Sequence, residues 1–239
     1  MMMPVAAAGR LLAAFEVVVC SGVPTQLLIG SALIASGLAP SPAESGPTLR
    51  LVAPLLLIDT LLVVTLVVAF TRARGERVRD LWLGTRRPSR EALLGLALAP
   101  MVFIGGAMLL NALRLIAPWL QTVPDNPVEA IARLGGLNTA LFGLVAIVGG
   151  GVREELQRAF VLQRFERHLG GPMVGVLLWS AAFGAGHFEQ GLDAVMATGL
   201  IGAFWGVLYL RRRSVMAPVI SHAGFNSLQV LTMALVTRP

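Results

Sequence analysis

The chain has 239 residues, 56% of them hydrophobic and only 13% charged, with a formal net charge of +6. A soluble domain carries about 25% charged residues, so the composition excludes an ordinary soluble enzyme and predicts an integral membrane protein: an all-α, polytopic transmembrane helical bundle of about seven to eight helices, forming one membrane-embedded domain over residues 1–239. Every basic residue is an arginine and Cys20 is the one cysteine, which excludes an internal disulfide and a cysteine-rich metal site.

A transmembrane helix needs about 20 apolar residues. Seven segments meet or approach that length: 11–36, 51–70, 92–117, 137–157, 172–188, 193–210 and 215–236. The first follows a short start, Met1 to Arg10, with no small-x-small cleavage site, so it reads as a membrane helix and not a signal peptide. Gly22 and Pro24 inside it predict a kink or a split into two pieces, which would give the eighth helix.

The connections alternate in charge. Residues 71–90 carry seven arginines, 158–171 hold Arg158, Arg164 and Arg167, and Arg211-Arg212-Arg213 closes the sixth segment. Between them, 118–136 hold Asp125 and Glu129 with one arginine, and the turn near 188–193 holds Glu189 and Asp193. A seven-helix count puts all the basic connections on one side. By the positive-inside rule that side and the N-terminus are cytoplasmic, in what reads as a bacterial inner membrane. The arginines lie between apolar segments, so the bilayer is the partner they imply, and no nucleic-acid face is predicted.

Three short stretches place polar groups inside this apolar sequence: Glu154-Glu155-Leu156-Gln157-Arg158, Phe183-Gly184-Ala185-Gly186-His187 and His222-Ala223-Gly224-Phe225-Asn226. Ionisable groups within a membrane are costly and mark function by default. A carboxylate and imidazole can activate water, and an imidazole and amide can stabilise an oxyanion. Glu154 and Arg158, spaced i,i+4, share a helix face, as do His222 and Asn226. Leu169-Gly170-Gly171-Pro172 predicts a hairpin tip. Glu154 and His187 each stand about 16 residues from it, roughly 25 Å, and so at one depth. His222, roughly 14 Å in from Arg213, brings all three motifs towards the cytoplasmic half. Glu16, Asp59 and His168 read as structural, and Trp179 and Trp205 as packing.

The ordered set, Glu-Glu then Arg, Phe-x-x-x-His, and His-x-x-x-Asn, resembles the CPBP intramembrane protease family, which includes type II CAAX prenyl endopeptidases and Abi-type bacteriocin-processing or immunity proteins. The resemblance covers about residues 90–235. It implies a helical bundle with a cavity opening to the cytoplasmic side and hydrolysis of a peptide bond in a membrane-associated protein or peptide. Carried over by position, it implies Glu154 as the base, His187 as its partner, and His222 with Asn226 at the oxyanion. Two residues separate the Glu pair from Arg158, where the family pattern usually has three. Aligning on the Glu pair keeps Glu154 as base, Glu155 is the alternative, and the role of Arg158 stays open. No cofactor is firmly implied. Two histidines, His187 and His222, with a glutamate would also satisfy a divalent metal such as zinc, although an amide beside His222 suits an oxyanion site better. The competing readings are a non-catalytic scaffold or immunity partner and, further off, a small-solute transporter.

Overall fold

A computed structural model describes residues 5–42, 46–124 and 126–236. Asp125, one of the acids of the 118–136 connection, lies outside them. Each of the seven predicted segments contains helix, and no strand occurs among the described residues. The first segment is indeed two helices, α1 (Val5–Val19) and α2 (Val23–Ala35). They are separated at Gly22, whose φ of 83° is a left-handed conformation that favours glycine. Then follow α3 (Leu49–Ala73), the short α4 (Val78–Trp82), α5 (Pro88–Ile116) and the short α6 (Pro127–Ala132).

The fourth segment is one continuous helical rod of three parts: α7 (Gly136–Val145), a π-helical stretch over Ala146–Arg153, and α8 (Glu154–His168). The glycine turn returns the chain through α9 (Pro172–Ala185), with Gly170 and Gly171 at φ 96° and 104°. The last two helices are α10 (Leu192–Arg212) and α11 (Met216–Val236). Among the described residues five spans are long and apolar enough to cross a membrane: Gly9–Ala35, Leu49–Ala73, Pro88–Ile116, Gly136–His168 and Leu192–Arg212. The chain is an integral membrane protein built as a helical bundle.

The ends of the bundle differ chemically. At one end the arginines of three separate connections meet acids from the others. Arg74 and Arg164 both pair with Glu16, at 2.7 and 2.6 Å, and Arg164 also reaches Glu76 at 2.8 Å. Arg212 pairs with Glu91 at 2.5 Å and Arg213 with Glu166 at 2.6 Å. The predicted grouping of connections 71–90, 158–171 and 211–213 is thus seen as one arginine-rich end. The opposite end holds Arg114 with Asp193 at 2.8 Å and Arg133 with Glu129 at 2.7 Å.

Just inside the arginine-rich end lies the main apolar core, where Phe160, Val161 and Leu162 of α8 pack with Val63, Leu81, Tyr209 and Val215. A second buried feature ties α2 and α3 to the rod. Asp59 accepts from Thr25 Oγ1, from Gln26 Nε2 at 3.1 Å and from Arg153 Nη2 at 2.8 Å. Arg153 also donates to Gln157 at 2.9 Å, and Gln157 donates to the carbonyl of Cys20. Glu16, Asp59 and His168 therefore all have structural partners, His168 through Arg74 at 3.1 Å.

Removing one member of a buried ion pair strands the other, at a cost of about 3–5 kcal/mol. Asp59→Leu should therefore lower the unfolding temperature in detergent sharply, and adding Arg153→Met should recover most of the loss. Additive losses in the double variant would show that the two residues do not act as a pair.

Candidate active site

The rod that carries the Glu pair changes pitch just before it. The π-helical Ala146–Arg153 contains Gly149-Gly150-Gly151; Gly149 faces Leu56 of α3, and α11 lies directly against Gly150 and Gly151. A Cβ at Gly150 would stand 2.4 Å from Asn226 Nδ2, and one at Gly151 would stand 2.6 Å from the Cα of Ala223. The close approach lets Asn226 Nδ2 donate to the carbonyl of Ala146 at 2.9 Å. Single π turns inside α-helices occur often at functional sites.

The two glutamates have different surroundings. Glu155 is buried and receives Arg158 Nε at 3.0 and 3.2 Å on its two oxygens. Arg158 is held in turn by the Gly202 carbonyl at 3.1 Å, with its guanidinium 4.6 Å over the Phe183 ring. His222 Nδ1 lies 2.8 Å from Glu155 Oε1. A carboxylate only accepts, so Nδ1–H is the donor. Glu154 is more open, its side chain 22% exposed, with one oxygen 3.8 Å from His222 Nε2. The i,i+4 partnership of Glu154 with Arg158 expected from spacing is corrected: Arg158 pairs with Glu155 at i,i+3. Both of those side chains point inward, whereas Glu154 faces a cavity.

His187 stands just past the end of α9, and its Nδ1 donates to the Phe183 carbonyl at 2.9 Å. That bond fixes the proton on Nδ1 of the neutral ring and leaves Nε2 as an acceptor. Trp205, expected to serve only as packing, stacks on His222 with ring centres 3.7 Å apart and planes 16° from parallel. Its indole N–H reaches Ser221 Oγ at 3.3 Å. Only its place between Gly202 and Gly206, small residues that admit close neighbours, marked it in the sequence.

Two adjoining cavities meet at Phe183 and His187. The larger, about 380 Å³, is lined by Glu154, His187, Gln26, Arg153 and Trp179 among others. The smaller, about 160 Å³, is lined by His187, His222, Asn226, Trp205 and Gln229 among others. Residues of the three far connections, Pro47, Val128 and Gln190, complete the walls. The three motifs thus converge on these two cavities. Helix α9 ends at Ala185, which sets His187 beside the acidic turn.

The same geometry tests the metal alternative. Among the described residues no group of three or more His, Cys, Asp and Glu side chains is arranged to hold a metal ion. His187 and His222 each donate Nδ1–H to a protein oxygen, and His222 Nε2 faces a glutamate oxygen.

Residues 136–228 match the family model of type II CAAX prenyl endopeptidase Rce1-like proteins. This stretch is similar to the type II CAAX prenyl endopeptidases. No curated protein and no solved structure matches the chain. The match is narrower than the 90–235 expected from the motifs, yet it contains Glu154, Glu155, Arg158, His187, His222 and Asn226. The matched stretch begins with α7 and ends in mid-α11, so it spans the glycine contact as well.

That contact leaves no room for a methyl. Gly150→Ala should displace the Asn226 amide and cost about 1–3 kcal/mol by overpacking. Gly105→Ala, with nothing within 4 Å of the added carbon, should be neutral or slightly stabilising. Equal unfolding temperatures for the two variants would contradict the contact.

Proposed function

We propose that the protein is an intramembrane endopeptidase that hydrolyses a peptide bond of a membrane-associated protein or peptide. The observation that carries this reading is that Glu154 and His187 line one cavity, with His222 Nε2 3.8 Å from Glu154. The family of residues 136–228 supports the reaction class.

In this reading a water in the larger cavity gives one proton to the Glu154 carboxylate while its oxygen attacks the scissile carbonyl carbon. His187, with Nε2 unprotonated, accepts the water's second hydrogen bond and orients it. The carbonyl oxygen becomes an oxyanion, stabilised by an N–H of Asn226 and by His222. Since Nδ1–H of His222 is committed to Glu155, Nε2 donates only when the ring carries both protons. The C–N bond then breaks, and Glu154 passes its proton to the leaving amine.

Glu155 is the weaker candidate for the base. It is buried and already bonded to Arg158 and His222. It suits a positioning role, with Arg158 holding it in place. The assigned location is a bacterial cytoplasmic membrane.

The test is cleavage of a library of single-span peptides in proteoliposomes, read by mass spectrometry. Glu154→Gln should reduce turnover by about 10²–10⁴-fold, as loss of a general base does, with the unfolding temperature unchanged. If Glu154→Gln cleaves normally and Glu155→Gln is inactive but folded, the assignment of the base is reversed. Asn226→Ala should lower turnover by about 10²–10³-fold with little change in KM. A purified wild type that cleaves nothing in the library, in bilayers where it is folded, would favour a non-catalytic scaffold.

A further inference from the structure

The larger cavity has polar groups on its walls that take no part in the proposed hydrolysis. Resting on the endopeptidase reading, we propose that Gln26 is a substrate-binding residue. Its amide oxygen accepts a hydrogen bond from a backbone N–H of an unwound peptide segment lying in that cavity. Gln26 belongs to α2, outside the family-matched residues 136–228.

The orientation of Gln26 follows from the break between α1 and α2. Its backbone N–H donates to the carbonyl of Gly22 at 2.8 Å, so it stands in the first turn after the break. Packing there is close: a Cβ at Gly22 would stand 3.4 Å from both Arg153 Nη2 and Gln26 Nε2. The Gln26 side chain meets Asp59 at 3.1 Å. A carboxylate only accepts, so the group at Asp59 is the NH2, and the amide oxygen is left over. Asp59 is fully buried and is also bound by Thr25 and Arg153, which fixes this orientation. The donation to Asp59 is the one hydrogen bond of the Gln26 side chain among the described residues, so the oxygen stays an open acceptor. Gln26 lines the larger cavity together with Glu154 and His187.

Two donors on the same cavity also lack partners. Arg153, 4% exposed, commits Nη1 to Gln157 and Nη2 to Asp59, and its Nε–H is buried without a partner among the described residues. The indole N–H of Trp179, on α9, is likewise buried and unbonded. Both residues line the larger cavity. An acceptor with two donors matches a peptide backbone, which offers both N–H and C=O groups. A free carboxylate matches less well. It has no hydrogen for the Gln26 oxygen, and the Arg153 charge is already met by Asp59. A helical segment does not match either, because its N–H and C=O groups are bonded to one another. The segment that enters is therefore unwound, and the N–H beside Gln26 cannot come from a proline. A backbone held on this wall is presented to the carboxylate that lines the same cavity.

The experiment is retention of peptides by immobilised full-length protein in lipid nanodiscs, read by mass spectrometry. The protein carries Glu154→Gln, so that bound peptides persist. The probe is a library of single-span peptides with a short randomised segment. The best-retained peptides are remade as a series in which one amide of that segment at a time becomes an ester, which removes one N–H. An ester at one position should lower retention about 3–10-fold, the size of one net hydrogen bond. Gln26→Lys keeps a donor for Asp59 but has no acceptor. In that variant the ordinary peptides should fall by a similar factor, and the same ester should cost nothing further. Gln26→Leu serves the same purpose if Gln26→Lys does not fold. Undiminished retention of the ordinary peptides by a folded variant overturns the proposal. So does an ester effect that persists at full size in the variant, or retention of no peptide at all. Retention needs no turnover, so the two readings fail separately. Peptides held with the ester effect but left uncut by the wild-type protein would sink the endopeptidase reading and leave Gln26 assigned. Peptides that are cut but show no ester effect would do the reverse.

Discussion

The arrangement of the site rests on one buried carboxylate. Glu155 sits where water cannot solvate it, so its charge must be met by protein groups or the bundle would not close around it. Arg158 and His222 meet it, from its own helix and from α11. Arg158 then spends another N–H on the Gly202 carbonyl of α10. A single charge thereby fixes the relative placement of three helices, and with it the spacing between Glu154 and the imidazole across from it. The neighbouring glutamate can stay open to the cavity because this one is fully engaged. Two adjacent identical residues thus take different roles, set by which side of the helix each faces.

Much of this was legible in the sequence, and for identifiable reasons. Apolar run length and arginine placement are bulk properties of a membrane protein, so the seven helical segments and the common end of the basic connections followed from counting. The split at Gly22 followed from a glycine and a proline two residues apart. The convergence of Glu154 and His187 followed from equal distance to a glycine turn. What did not follow was anything decided by rotation about a helix axis. Spacing alone permitted Arg158 to serve either Glu154 or Glu155, and tertiary contact chose the latter. The stacking of Trp205 on His222 joins two helices with no shared pattern. The Asp59–Arg153 pair spans residues that show no mutual signal along the chain.

The π-helical stretch links the two kinds of feature. A regular α-helix through residues 146–153 would turn the glycine face and the Glu pair by a different angle relative to each other. The observed geometry gives α11 its contact with Gly150 and Gly151 while Glu154 still faces the cavity. Asn226 bonded to Ala146 closes that contact with a polar group, so its amide is held by the same distortion that orients the carboxylates.

Three consecutive glycines also bear on the order of assembly. Each is less favourable in a helix than alanine by about 1 kcal/mol, so the stretch has little reason to be rigid before α11 lies on it. Helix α11 leaves the ribosome after the rod does. The rod that bears Glu154 and Glu155 is therefore expected to acquire its final shape only once α11 has entered the membrane. A partly synthesised chain would hold the carboxylates without the imidazole, the amide or the backbone shape that makes them useful. Under the proposed endopeptidase function, such an order would keep the site inert while the chain is being inserted among other membrane polypeptides.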